Sequence, residues 1–221
     1  MTKWIVACVI TSALALHGAA AFAQNAQAAS ASPSKECLSE EAKATIKKLK
    51  ALNRRLTNAD PSWPFDPDYF AGKWDVEWDV PDSPFGEAGT VTGTMTIRHV
   101  EGCYYNGEMA GKDASGAFTA NVQIVYDPMA KYLVWIETNS RGYMLIKPGL
   151  VGGDLGGTFT HYWEVPAMKV NGKTVRLLGT TLMTSPLFYR LHAQISTDGE
   201  PYMNYGNPWF RKQAETSNSG R

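Results

Sequence analysis

From Gly72 onward the chain alternates. In "GKWDVEWDV" (72–80), Trp74, Val76, Trp78 and Val80 take one set of alternate positions, and Asp75, Glu77 and Asp79 take the other. An extended strand sends those two sets to opposite faces. "GTVTGTMTIRHV" repeats the pattern, setting Val91, Gly93, Met95 and Ile97 against threonines. The runs "CYYNGEM", "AFTANVQIVY", "YLVWIETN", "YMLIKP", "TFTHYWEV", "KTVRLLGTTL" and "LFYRLHAQIS" follow, and "EPYMNYGNPWFRK" ends the series. Short breakers separate them: "EG", "GKDASG", "DPMAK", "SRG", the glycine loop "GLVGGDLGG", and Asn171-Gly172, the strongest two-residue hairpin signal in the chain. About ten short strands with no helix between them specify an antiparallel meander. Closing the meander removes its unpaired edges. The predicted fold class is therefore all-β, an antiparallel up-and-down β-barrel of about ten strands with one N-terminal helix. Alternate residues of a barrel strand point into the lumen, so Trp74 and Trp78 are expected inside and the three carboxylates in water.

Upstream of the barrel the pattern differs. Residues 1–23 carry Lys3, an apolar run and then Ala21-Phe22-Ala23, the layout of a signal peptide cut after Ala23. This predicts a periplasmic or secreted protein without an integral membrane anchor. Residues 24–35 are small and polar, a flexible leader. In 36–58, Ser39 is a helix N-cap, Glu40 and Glu41 fill the first turn, and Ile46, Leu49, Leu52 and Leu56 form a narrow apolar stripe. The proline-rich "NADPSWPFDPDYF" connects this helix to the barrel, expected over 69–212, and 213–221 is a polar tail. Cleavage would remove Cys8 and leave Cys37 and Cys103, which in an oxidising compartment have one possible bridge between them. They lie in no C-x-x-C or Cys/His cluster, so no metal site is predicted.

The chain has 21 lysines and arginines against 21 aspartates and glutamates. That balance supplies no basic field for nucleic acid. Seven Trp and ten Tyr suit an aromatic interior or a ligand pocket. No G-x-S-x-G, H-E-x-x-H, phosphate-loop or dinucleotide motif is present.

"AGKWDVEW" resembles the Gly-x-Trp motif on the first strand of lipocalins and their calycin relatives, and the chain is most similar to secreted bacterial lipocalin-like domains. The hairpin "VYDPMAKYLVWIE" and the terminal "NPWFRK" extend the resemblance over roughly residues 69–212. Second and third lipocalin motifs are lacking, and the strand count is nearer ten than eight. The resemblance implies an arginine or lysine of the last strand packed across the first-strand tryptophan, a barrel-floor pair of Trp74 and Arg211. It also implies a lumen that holds one small hydrophobic or aromatic molecule.

Candidate ligand-binding residues are Trp78, Tyr105, Trp135, Phe159, His161, Trp163, Tyr189 and Tyr205. Phe159, His161 and Trp163 share one face of "TFTHYWEV", so inward aromatics bring the histidine inward with them. Such a histidine can orient a ligand or act as a general base. Paired with a carboxylate such as Glu108, it makes an isomerase, cyclase or lyase the enzymatic alternative. Glu137, beside Trp135, is a further carboxylate of that kind. No cofactor is predicted, although nitrobindin-like calycins bind haem through a histidine, which gives haem as an alternative. A filled, purely structural barrel is the remaining reading. Protein purified from its own host should begin at Gln24, and its intact mass checks this; a mass that includes residues 1–23 would refute export by this segment.

Overall fold

The computed structural model describes residues 36–51, 64–153 and 158–214. The signal segment, the leader, the chain from 52 to 63, residues 154–157 of the glycine loop and the tail from 215 lie outside the described residues. The elements are helix α1 (Glu40–Ala51) and strands β1 (Gly72–Val80), β2 (Gly89–Glu101), β3 (Tyr104–Asp113), β4 (Gly116–Asp127), β5 (Tyr132–Asn139), β6 (Met144–Gly153), β7 (Phe159–Val170), β8 (Lys173–Ser185), β9 (Phe188–Thr197), β10 (Met203–Asn204) and β11 (Trp209–Lys212). A one-turn 3-10 helix, Pro67–Phe70, precedes β1.

Each strand from β1 to β9 pairs antiparallel with its successor, and β9–β11 and β11–β1 complete the ring. Ten strands thus form a closed barrel. The two-residue β10 extends the side of β9 that β11 occupies further along. The break between them still uses the backbone of β9, through Leu191 N–H to the Pro208 carbonyl and Ala193 N–H to the Gly206 carbonyl. At Gly206, φ is +94°, and a Cβ would collide with the Trp78 indole. Glycine there lets the chain turn over that ring.

Burial follows the alternation. In β1, Trp74 and Val76 are buried, Trp78 is half-buried, and Asp75, Glu77 and Asp79 are exposed. In β2, Val91, Met95 and Ile97 are buried. Part of the predicted glycine loop is strand, because Gly149–Gly153 continue β6. A Cβ at Gly149 would collide with the Tyr162 carbonyl, so this crossing of β6 and β7 requires glycine. The predicted loop "GKDASG" shrinks likewise to Ala114-Ser115, since β3 runs to Asp113.

One end of the barrel is plugged. Phe70 of the 3-10 helix is buried against Trp135 and Tyr189, and its carbonyl accepts the Trp74 indole N–H at 2.8 Å. Tyr105 donates to Asp68 at 2.7 Å, and Phe65 packs on Phe70, Tyr126 and Phe159. The cation over Trp74 is Lys212, with Nζ 4.9 Å from the ring centroid and also donating to the Tyr69 carbonyl. Arg211 does not take this place. In β11 the inward positions are Phe210 and Lys212, and Arg211 faces solvent opposite Asp75.

Cys37 and Cys103 form a disulfide, which fastens the segment before α1 to the β2–β3 turn. Ser39 caps α1, its hydroxyl accepting the Ala42 N–H at 3.2 Å, so the helix starts at Glu40.

Truncating Lys212 to Ala removes a desolvated cation–π contact and should lower stability by about 1–2 kcal/mol. Arg211→Ala should stay within about 0.5 kcal/mol of the parent. Urea unfolding of the two variants checks the assignment, and the opposite ranking would contradict it.

Candidate functional site

Above the plug the lumen is open in two parts that share lining residues. The deep chamber has a volume of about 40 Å³ and is lined by Phe70, Trp135, His161, Thr181 and Tyr189. The upper chamber, about 120 Å³, is walled by apolar side chains including Val76, Val91, Leu177 and Leu191, together with Trp78 and Trp163. Met109, Glu137, Lys147, Leu191 and Phe210 border both.

The divide between the chambers is charged. Glu137 follows Leu133 and Trp135 on the inward face of β5, and Lys147 follows Leu145 on the inward face of β6. Lys147 Nζ lies 3.2 Å from the Glu137 carboxylate and 5.8 Å from the ring centroids of both Trp135 and Trp163. The Trp163 indole fits because Gly179 faces it: a Cβ at Gly179 would lie 2.6 Å from that ring. Trp163 donates its N–H to the Thr181 hydroxyl at 3.3 Å.

His161 is 2% exposed. Burial, assisted by the positive charge of Lys147, lowers its pKa from 6.5 to about 4, while a hydrogen bond to the Leu133 backbone pulls the other way. The ring is therefore neutral at ordinary pH. The Leu133 bond raises the pKa, so the ring donates it, and Nε2 is left as the lone-pair nitrogen without a partner. Trp135 Nε1 and the Tyr189 hydroxyl are also buried and unpartnered. Burial drives the Tyr189 hydroxyl's pKa well up, so it remains a donor. All three residues line the deep chamber.

At the mouth, Arg141 of the β5–β6 turn clamps Asp113 with two hydrogen bonds of 2.5 and 2.7 Å, and that clamp lowers the Asp113 pKa. The β1–β2 connection carries Phe85 to the rim, edge-on to Tyr143 at 5.0 Å and 6.0 Å from Tyr205. Asn171 of the β7–β8 turn holds the Pro84 carbonyl at 2.9 Å. Trp78 donates to the Tyr205 carbonyl, and the Tyr205 hydroxyl meets Ser83 at 3.3 Å.

Of the sequence-predicted residues, Trp78, Trp163 and Tyr205 line the upper chamber, and Trp135, His161 and Tyr189 the deep one. Tyr105 and Phe159 are committed to the plug and line neither chamber. Glu108 is exposed on the outer face of β3, because Tyr105, Gly107 and Met109 take the inward positions. The barrel wall stands between it and His161, so that acid–base pair does not exist. The deep chamber lies far below the roughly 300–1,000 Å³ of pockets that hold cofactor-sized ligands, so the His161 site does not fit haem. No group of His, Cys, Asp and Glu among the described residues can hold a metal ion. Lys147 and the Arg141–Asp113 clamp were not singled out from sequence. A lysine in phase with Leu145 is a readable signal, whereas a turn arginine is not.

No protein-family model matches the sequence, and no curated protein sequence matches it. Among solved structures, the crystal structure of Rv2717c from M. tuberculosis is similar in fold, with TM-score 0.53 at 13% identity over 66% of this chain and 94% of that one. A de novo designed fluorescence-activating β-barrel and the redesigned barrel mFAP1 bound to DFHBI overlap more loosely, each with TM-score 0.38 and 66% of this chain covered, at 14% and 13% identity. They cover 96% and 97% of the designed chains. No helix among the described residues is long and apolar enough to cross a membrane.

Neutral burial of His161 couples stability to pH. The unfolded chain takes up a proton near pH 6.5 and the folded one only near pH 4. Stability is therefore unaffected above about 6.5, falls between about 6.5 and 4, and levels off below, the total loss being about 3 kcal/mol. His161→Gln should flatten that window in urea titrations at stepped pH; an unchanged slope would show that other groups account for it.

Proposed function

We propose that this chain is an exported, calycin-like barrel that holds a small hydrophobic or aromatic molecule in its lumen. The observation that carries the reading is the upper chamber, about 120 Å³, whose mostly apolar lining also includes the Glu137–Lys147 pair and the Arg141–Asp113 clamp. A void on the order of 150 Å³ with Leu, Ile and Phe walls accepts a benzene-sized guest. Its lining combines mostly apolar surface with a few convergent polar groups, the pattern of ligand sites. A barrel serving only as a scaffold gains nothing from leaving that volume empty, because each unfilled void weakens packing.

Further observations support parts of the reading. The Gly-x-Trp start and the cation of the last strand over Trp74 match what the calycin resemblance implies. The Cys37–Cys103 disulfide suits an oxidising compartment and agrees with the signal-like residues 1–23. Chamber size limits the occupant to about one ring, which disfavours long-chain lipids.

Toluene titrated into the protein should shift the methyl NMR signals of Leu177 and Leu191 saturably, and palmitate should not. Leu177→Trp fills the chamber at a cost of about 1–3 kcal/mol, so it should stay folded by circular dichroism and bind toluene at least tenfold more weakly. Equal binding by parent and filled variant would place the guest elsewhere and end the proposal.

A further inference from the structure

The deep chamber adds chemistry to the lumen that an apolar guest does not use. Three of the residues that line it carry a buried polar atom without a hydrogen-bond partner: Trp135 Nε1, His161 Nε2 and the Tyr189 hydroxyl. Their parent residues are 8%, 2% and 1% exposed. Leaving such groups unpaired costs about 1–3 kcal/mol each, so a site that presents three together is built to receive something polar.

Their roles define what that is. Trp135 Nε1 only donates. His161 is neutral with Nδ1 toward Leu133, so Nε2 only accepts. The Tyr189 hydroxyl does either. A single group that serves both His161 Nε2 and Trp135 Nε1 must donate one hydrogen bond and accept another. A hydroxyl does this. A carboxylate cannot donate to Nε2 and would lie in the same lumen as the Glu137 carboxylate. An ether or ketone has no donor, and an ammonium has no acceptor.

Size gives the rest. The deep chamber holds one such group, since about 10–15 Å³ suffices for a water-sized probe and about 40 Å³ is present. The carbon frame bonded to it must start at the border the two chambers share, beside Glu137 and Lys147, and extend into the upper chamber. A single flat ring meets that condition.

We propose that the ligand of this barrel is a hydroxylated aromatic, a phenol, whose ring extends into the upper chamber from the border the two chambers share and whose hydroxyl enters the deep one, donating to His161 Nε2 while accepting from Trp135 Nε1. This rests on the ring-binding reading above and specifies its chemistry. Lys147, above the two tryptophans and paired with Glu137, excludes a second acid from the same space by leaving no free cation to neutralise it.

The disulfide-intact protein is titrated by calorimetry with p-cresol, with p-xylene, which has the same shape and no hydroxyl, and with p-toluate. p-Cresol should bind at least about tenfold tighter than either. Trp135→Phe keeps the ring and deletes the N–H, and should cut the p-cresol preference severalfold while leaving p-xylene binding unchanged. The ¹⁵N signal of His161 Nε2 in the parent protein should move with p-cresol and stay still with p-xylene, a readout that a merely structural histidine would not give. If p-xylene or p-toluate binds as well as p-cresol, the hydroxyl proposal is overturned and ring binding stands. A p-cresol preference with an unmoved His161 signal likewise overturns it. If none of the ring compounds binds, the ring-binding reading falls with it.

Discussion

The indole of Trp74 is held from three sides. Its N–H is taken by the Phe70 carbonyl of the 3-10 turn, Lys212 of the last strand lies over one face, and Tyr189 of β9 meets it edge-on at 4.8 Å. Those partners come from before the barrel, from its end and from its ninth strand. Through them one fully buried side chain joins the plug to the seam where β1 meets β11. The deep chamber owes its floor to this arrangement. Phe70 and Tyr189 border the chamber, and both are fixed against the residues that fix Trp74.

The lumen above that floor is unusual in its polarity. An ion pair placed among apolar walls loses hydration that its mutual attraction only partly restores. Lys147 and Glu137 are nevertheless there, flanked by two tryptophans, and a neutral histidine lies within reach of the lysine's field. Packed apolar residues of similar volume would make a barrel at least as stable. Stability therefore does not explain these groups. The mouth follows a different logic: the Arg141–Asp113 clamp ties the β5–β6 turn to β3, and Phe85 and Tyr143 cover the rim.

Much of this was legible as alternation. Trp74, Val76 and Trp78 against three carboxylates left one arrangement for β1, and His161 between Phe159 and Trp163 was drawn inward by its neighbours. Errors arose where the phase was ambiguous. β3 opens with adjacent tyrosines, Tyr104 and Tyr105, so composition does not say which faces in or on which side Glu108 lies. In "NPWFRK" an aromatic occupies both phases, and only the pairing of Phe210 with Val76 shows that Lys212, not Arg211, meets Trp74. Tyr105 and Phe159 point inward as read, but the plug consumes them, and a plug built from a turn outside the strands leaves no period to detect. The partnership of Glu137 with Lys147 depends on cross-strand register, which neither strand reveals alone.

The seam between β1 and β11 governs how this molecule can form. Gln213 bonds Asp75 across a separation of 138 residues, and the register beside it spans nearly as many. Every other neighbour in the ring can zip locally, hairpin by hairpin, but this junction must wait for a long-range encounter with its entropic toll. Until then the first and last strands are open edges able to pair with another chain. Slow, late ring closure, with an aggregation-prone species before it, is what such a topology entails.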